Sequence, residues 1–126
     1  MINKVWLREG IKMPNMDRQR KIIVVEGKAD RQRLKKIIAE EVIFVCTFGT
    51  ISEYDVEQLM MPYEVDELFV FVDYDHTGER IRRHFHELYP EAIHLYTNPD
   101  DIEVEETPYE KLIEELQPYF ILNKDF

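Results

Sequence analysis

The sequence predicts an α/β protein, a three-layer α/β/α sandwich built on a four-stranded, mainly parallel sheet. Two observations predict it. Apolar runs at residues 22–25, 42–47, 68–72 and 92–96 are short, nearly continuous and rich in β-branched and aromatic residues. That is the composition of strands buried on both faces. Each run is followed by a segment whose apolar residues recur at helical spacing. Strand alternating with helix implies parallel strands, right-handed crossovers and helices on both faces of the sheet.

The elements follow in order. Residues 1–20 read as an N-terminal extension in which 4–8 suits an added edge strand, 14–20 a loop, and Trp6 a staple onto the core. The strand at 22–25 leads into a helix at 29–40 that carries Leu34, Ile37 and Ile38 on one face. The strand at 42–47 holds Cys46 as a small apolar residue and precedes a helix at 51–61, with Val56, Leu59 and Met60 inward. Thr50 stands three residues before Glu53, the spacing of a capping box. The strand at 68–72 passes through Asp73-Tyr74-Asp75 into a helix at 78–89 that carries Ile81, Phe85 and Leu88. After the strand at 92–96 comes an acidic loop, then a helix at 108–116 marked by Thr107, Pro108, Glu110 and a terminating Pro118. The domain proper is therefore 21–118. The tail, 119–126, either packs its aromatics back on the domain or meets a partner.

With 126 residues the chain builds one sizeable core. No apolar run approaches the ~20 residues that cross a bilayer, and the first ten residues lack the apolar region of a secretory signal. The single cysteine excludes an internal disulfide and a multi-thiolate metal site. A cytoplasmic setting without membrane contact is expected. The net charge of −10 argues, as an average, against contact with phosphates. The distribution is uneven, however. Residues 1–36 hold 11 Lys/Arg against 4 Asp/Glu, whereas residues 37–126 hold 5 against 22. A basic surface near one end and an acidic one near the other are implied, unless both are merely solvated faces.

In open parallel sheets the ligand site lies beyond the carboxyl ends of the strands. Two of those ends run from a wholly apolar stretch straight into an acid, Val25 into Glu26 and Val72 into Asp73, with Asp75 close behind. Such a charge is costly there unless it is compensated. If the first and third strands are neighbours, Glu26, Asp73 and Asp75 converge. They then stay ionised only around a cation, or one of them holds a proton. Oxygen ligation by few side chains suits Mg²⁺, with Mn²⁺ as the alternative. Gly27, Gly49 and Gly78 allow tight turns and close approach of backbone to ligand. Lys28, Arg31 and Lys35 on the first helix, and Arg80, Arg82 and Arg83 on the third, are candidate phosphate contacts, and a solvated helix face explains them equally well. His76 beside the acidic loop either orients a phosphate or sits exposed in the turn; His84, His86 and His94 read as surface or packing residues. A lone Asp-x-Asp before a helix is more often an N-cap than a metal site. The combination of both strand ends carries the argument.

The run Ile22 to Lys28 with Asp30, the glycine at Gly49, and Val70-Phe71-Val72-Asp73-Tyr74-Asp75 followed by Gly78-Glu79 together resemble the Toprim domain over about residues 21–97. That module is shared by bacterial primases, type IA and type II topoisomerases, OLD-family nucleases, recombination mediators and the small ribonuclease that matures 5S ribosomal RNA. The tract from Asp73 to Arg83 is most similar to that ribonuclease, and Ser52 matches a serine near the start of its second helix. By this resemblance Glu26 is the acid/base glutamate and Asp73 and Asp75 are magnesium ligands, with Glu26 a further one. Thr77 stands where topoisomerases carry a third acid, and Tyr74 where the ribonuclease commonly has proline.

The resemblance implies Mg²⁺-dependent phosphodiester chemistry on RNA or DNA, as a small nuclease or related phosphotransferase. Its rival is a non-catalytic nucleic-acid-binding or regulatory module working with a partner protein. A third reading leaves the acids vestigial in a structural domain.

Overall fold

The computed structural model describes residues 20–49, 52–64, 66–97, 100 and 102–124. The expected edge strand at 4–8, the Trp6 staple and the Thr50 cap lie outside the described residues. Four strands form one sheet, β1 (Lys21–Val25), β2 (Ile43–Cys46), β3 (Glu67–Phe71) and β4 (Ile93–Leu95), in the order β2-β1-β3-β4 with every pairing parallel. The helices are α1 (Lys28–Ile37), α2 (Glu53–Met60), α3 (His76–Leu88) and α4 (Tyr109–Leu116). Short 3₁₀ turns follow α2 at Met61–Tyr63 and precede α4 at Val104–Glu106.

Alternation along the strands splits the core in two. Ile23, Val25, Phe69 and Phe71 face α1 and α4, while Ile22, Val24, Leu68 and Val70 face α2 and α3. Seven of these eight have no exposed surface, and Leu68 keeps 9%. Cover on both faces is why the strands read as unbroken apolar runs. The sandwich is the one expected, and the central position of β1 and β3 makes their carboxyl ends neighbours. Among the described residues no helix is long and apolar enough to cross a membrane.

The tail takes the first of its two expected roles. Phe120 packs on Phe69 with centroids 4.7 Å apart, Tyr119 meets the same ring edge-on at 5.5 Å, and the Ala39 N–H donates to the Ile121 carbonyl. Three helix starts differ from expectation. α3 begins at His76, two residues before 78, with Asp75 as its cap. α2 begins at Glu53 with Ser52 as its cap. The Ser52 hydroxyl accepts from the Asp55 N–H at 3.1 Å, and the Asp55 carboxylate accepts from the Ser52 N–H at 3.4 Å. Ser52-Glu53-Tyr54-Asp55 offers the same box spacing as Thr50 to Glu53, two residues later. Thr107 does not cap α4 either. Its hydroxyl donates to the Glu103 carbonyl at 2.7 Å and closes the 3₁₀ turn instead.

Phe69 anchors the sheet and the tail together. Phe69→Ala is expected to cost about 4 kcal/mol, the usual scale for emptying a fully buried aromatic site. Urea unfolding checks the loss, and near-ultraviolet circular dichroism checks the accompanying release of Tyr119.

Candidate functional site

β1 and β3 end side by side, and each ends on an acid. Glu26 follows β1 and reaches across the strand gap, where its Oε2 accepts a 2.8 Å hydrogen bond from the Asp73 N–H. Burial pushes Glu26 up from its ordinary 4.5 to about 7; the Asp73 N–H opposes this, and the charges of Asp73, Asp75 and Asp30 add to it. Asp73 is half-buried, and its carboxylate accepts at 2.9 Å from the Val104 N–H. Burial raises Asp73 too, against that hydrogen bond, with Asp30, Asp75 and Glu105 contributing repulsion. Asp75 is exposed and caps α3, its Oδ1 accepting from the Gly78 N–H at 2.8 Å. The N-cap reading of the second aspartate thus describes one of its oxygens.

Asp30 belongs to the same neighbourhood. It is 7% exposed, accepts from the Gly27 N–H at 3.1 Å, and is raised chiefly by burial and then by Glu105 and Glu103. Among the described residues the Arg20–Asp66 and Lys21–Glu40 ion pairs lie away from this cluster. Among those residues, too, no three His, Cys, Asp or Glu side chains stand ready-made as a metal cage. The acids share an electrostatic environment without forming a closed coordination sphere.

Two glycines shape the loops. Gly49 has φ +103°, a conformation that suits glycine, and follows Phe48, itself at φ +56° and largely exposed. The Phe48 N–H donates to the Glu26 carbonyl at 2.7 Å, so this strained turn holds the backbone of the glutamate. Gly78 is needed for space rather than for φ. A Cβ there would lie 1.9 Å from the Asp73 carbonyl oxygen. Gly27 is the N-cap of α1, in extended conformation with open space around its Cβ position.

A cleft of about 860 Å³ opens on the α3 side of these loops, and its lining includes Asp73, Asp75, His76, Arg82 and Arg83 but not Glu26. The other expected cations lie elsewhere. Lys28 is exposed at the start of α1 and Arg31 is half-buried one turn on. Lys35, in the last turn, sits about 10 Å further along the axis, away from the strand ends. Arg80 is exposed on α3 outside the cleft lining.

Arg82 departs most from a surface phosphate contact. It is 7% exposed, and its guanidinium donates to the Val72 carbonyl at 3.0 Å and the Leu95 carbonyl at 2.5 Å, with His94 Nδ1 at 3.1 Å. Burial lowers its pKa, and it also lowers His94 to about 4, which leaves that ring neutral and able to accept. Arg82 therefore ties β3 to β4 at their carboxyl ends. The pattern held the signal, since Gly78, Ile81, Arg82 and Phe85 are the buried residues of α3 at i, i+3, i+4 and i+7.

The segment after β4 is a site element that the side-chain pattern did not reveal. The Ile102 carbonyl accepts from the Tyr74 N–H at 2.7 Å, and the Val104 N–H holds Asp73. Arg33 of α1 secures the turn by donating to the Val104 carbonyl at 2.7 Å and the Glu105 carbonyl at 2.6 Å.

The family model described as the Toprim domain matches residues 21–106. The chain is 36% identical to a solved structure described as a small TOPRIM domain protein from Bacillus stearothermophilus, with a TM-score of 0.80 over 86% of this chain and 92% of that one. It is 32% identical over 93 residues to the uncharacterized protein YusF of Bacillus subtilis, covering 74% of this chain and 64% of that protein. It is 32% identical over 104 residues to Ribonuclease M5 of Fusobacterium nucleatum, covering 78% of this chain and 57% of that enzyme. The chain thus spans roughly three-fifths of the length of these two curated relatives.

Two predictions follow from the geometry. Gly78→Ala forces the Asp73 carbonyl aside and is expected to cost about 2 kcal/mol, typical of overpacking, in thermal or urea unfolding. The second concerns pH. Glu26 binds its proton more tightly folded than unfolded, so its contribution is fully present below about pH 4.5 and is lost as the pH rises towards about 7. Glu26→Gln keeps an oxygen for the Asp73 N–H and removes the charge. In metal-free buffer its melting temperature is expected to fall less across that window and to exceed the wild-type value above about pH 7.

Proposed function

From the premise that this chain belongs to the Toprim domain family, we propose that it carries out Mg²⁺-dependent phosphodiester chemistry on nucleic acid in the cytoplasm, as a small ribonuclease-like nuclease. One observation carries the reading: Glu26 and Asp73 sit at adjacent strand ends, joined by a 2.8 Å hydrogen bond, with Glu26 titrating near neutrality. The likeness to Ribonuclease M5 supports RNA as the first substrate to test.

Asp73 and Asp75, with Glu26 as a further donor, would hold Mg²⁺ or Mn²⁺. The donor set fits a hard cation that takes one or two carboxylates and completes its sphere with water and phosphate oxygen. The chemistry a bound ion supplies there is neutralisation of clustered acids and polarisation of a phosphoryl oxygen. The chain's own work is proton handling and positioning. With Oε2 held by the Asp73 N–H, Glu26 presents Oε1 to the attacking water and takes its proton as the oxygen–phosphorus bond forms. The ester P–O bond breaks, and the departing oxygen is protonated by solvent. A pKa near operating pH suits a base of this kind. Lys28, Arg31 and Arg83 supply positive charge at the rim for phosphates, and the Val104 N–H and Gly78 keep Asp73 in register.

The net charge of −10 favours a second reading, a non-catalytic module that binds nucleic acid with the help of a partner protein. One experiment separates the two. Labelled structured RNA, single-stranded RNA and DNA are incubated with Mg²⁺ or Mn²⁺, then with chelator. The enzyme reading expects metal-dependent cleavage, a loss of about 10²–10⁴-fold in Glu26→Gln, and loss of both cleavage and the Mg²⁺-induced thermal shift in Asp73→Asn. Binding without cleavage supports the module, and neither binding nor cleavage contradicts both.

A further inference from the structure

The cleft beside Asp73 and Asp75 is larger than a phosphate requires. Its volume of about 860 Å³ falls among those that hold whole organic groups, and two tyrosines stand in its wall among charged side chains. Tyr74, between the two aspartates, is 51% exposed, and Tyr96, just past β4, is 43% exposed. They meet edge-on with centroids 6.5 Å apart. Their backbones are fixed. The Tyr74 N–H is held by the Ile102 carbonyl at 2.7 Å, and the Tyr96 N–H by the Glu115 carboxylate at 2.9 Å. The Arg82 guanidinium lies over the Tyr96 ring at 3.9 Å and is itself fixed by the strand carbonyls. One tyrosine is thus braced by the other, and that one by a buried cation. The result is an aromatic surface open to solvent, with Tyr74 within one residue of both candidate metal ligands.

We propose that this cleft is a nucleobase subsite: an unpaired base of the substrate strand stacks on Tyr74 while its phosphate lies at Asp73 and Asp75. The inference rests on the nucleic-acid reading above and adds where the strand runs. The lining favours a base over an anionic group. Asp73, Asp75 and Glu79 outnumber Arg82 and Arg83 in the lining, and Arg82 already donates to strand carbonyls, whereas a base is neutral, planar and suited to an aromatic face. Arg83 and His86 stand at the wall as donors for its edge. A base inside a duplex cannot reach this surface without unstacking, so unpaired strands are the preferred ligand.

The test is equilibrium binding of a short fluorescein-labelled single-stranded RNA with Mg²⁺, in the Glu26→Gln background so that the RNA is not consumed. A second oligonucleotide carries 2-aminopurine. Stacking predicts quenching of 2-aminopurine on binding. Tyr74→Ala is expected to weaken affinity roughly tenfold and abolish the quench, with Tyr74→Phe within about twofold on both readouts. Unchanged melting temperatures show that the exposed substitution leaves the fold intact, and the quench in the unsubstituted ring needs no Tyr74 variant at all. Binding that is equal in Tyr74→Ala, or that leaves 2-aminopurine unquenched, overturns the subsite and spares the nucleic-acid reading. Absence of RNA binding before Tyr74 is changed overturns both.

Discussion

The hydrogen bond from the Asp73 N–H to the Glu26 carboxylate joins the ends of the two central strands, and most of the site's geometry follows from it. It requires β1 and β3 to be neighbours in register, with Val24 opposite Val70. It requires both strands to be buried on both faces, so that each chain emerges from apolar surroundings directly into an acid. That same burial lifts Glu26 towards neutrality. One N–H cannot offset the desolvation of a carboxylate crowded by other acids. The fold thus disfavours the charged form of Glu26 at this point.

Around that bond the chain spends backbone groups rather than side chains. The Phe48 N–H fixes the Glu26 carbonyl, the Val104 N–H fixes the Asp73 carboxylate, and the Ile102 carbonyl fixes the Tyr74 N–H. Arg33 and Arg82 are clamps whose guanidinium groups end on carbonyls. The absence of a Cβ at Gly78 is what lets the Asp73 carbonyl approach. Positioning by main chain takes up one oxygen of each carboxylate, Glu26 Oε2, Asp73 Oδ1 and Asp75 Oδ1.

How much of this the sequence carried depends on how each contact is written. Two-sided burial writes itself as continuous apolar runs, so the strands, their order of succession and the acids at their ends were legible. The cap of α2 was misplaced because Thr50-to-Glu53 and Ser52-to-Asp55 present the same spacing, and only the backbone decides between them. Thr107 looked like a cap and closes a turn. Arg82 reads as a phosphate contact or a solvated cation because its charge outweighs its position on the apolar stripe of α3. The 102–106 segment looked like an acidic loop since its contribution to the site, N–H and C=O groups, has no residue-specific signature. Backbone-mediated contacts are the part a sequence does not spell.

The acidic site and the proton it holds stand or fall on linkage between metal and proton. Calorimetric titration of the metal-free protein with Mg²⁺ near pH 7, repeated in buffers of different ionisation enthalpy, measures that linkage directly. The account predicts that Mg²⁺ binds with release of a fraction of one proton and that its affinity rises with pH through neutrality. Binding without proton release, or no binding at any pH between about 6 and 8, would contradict it.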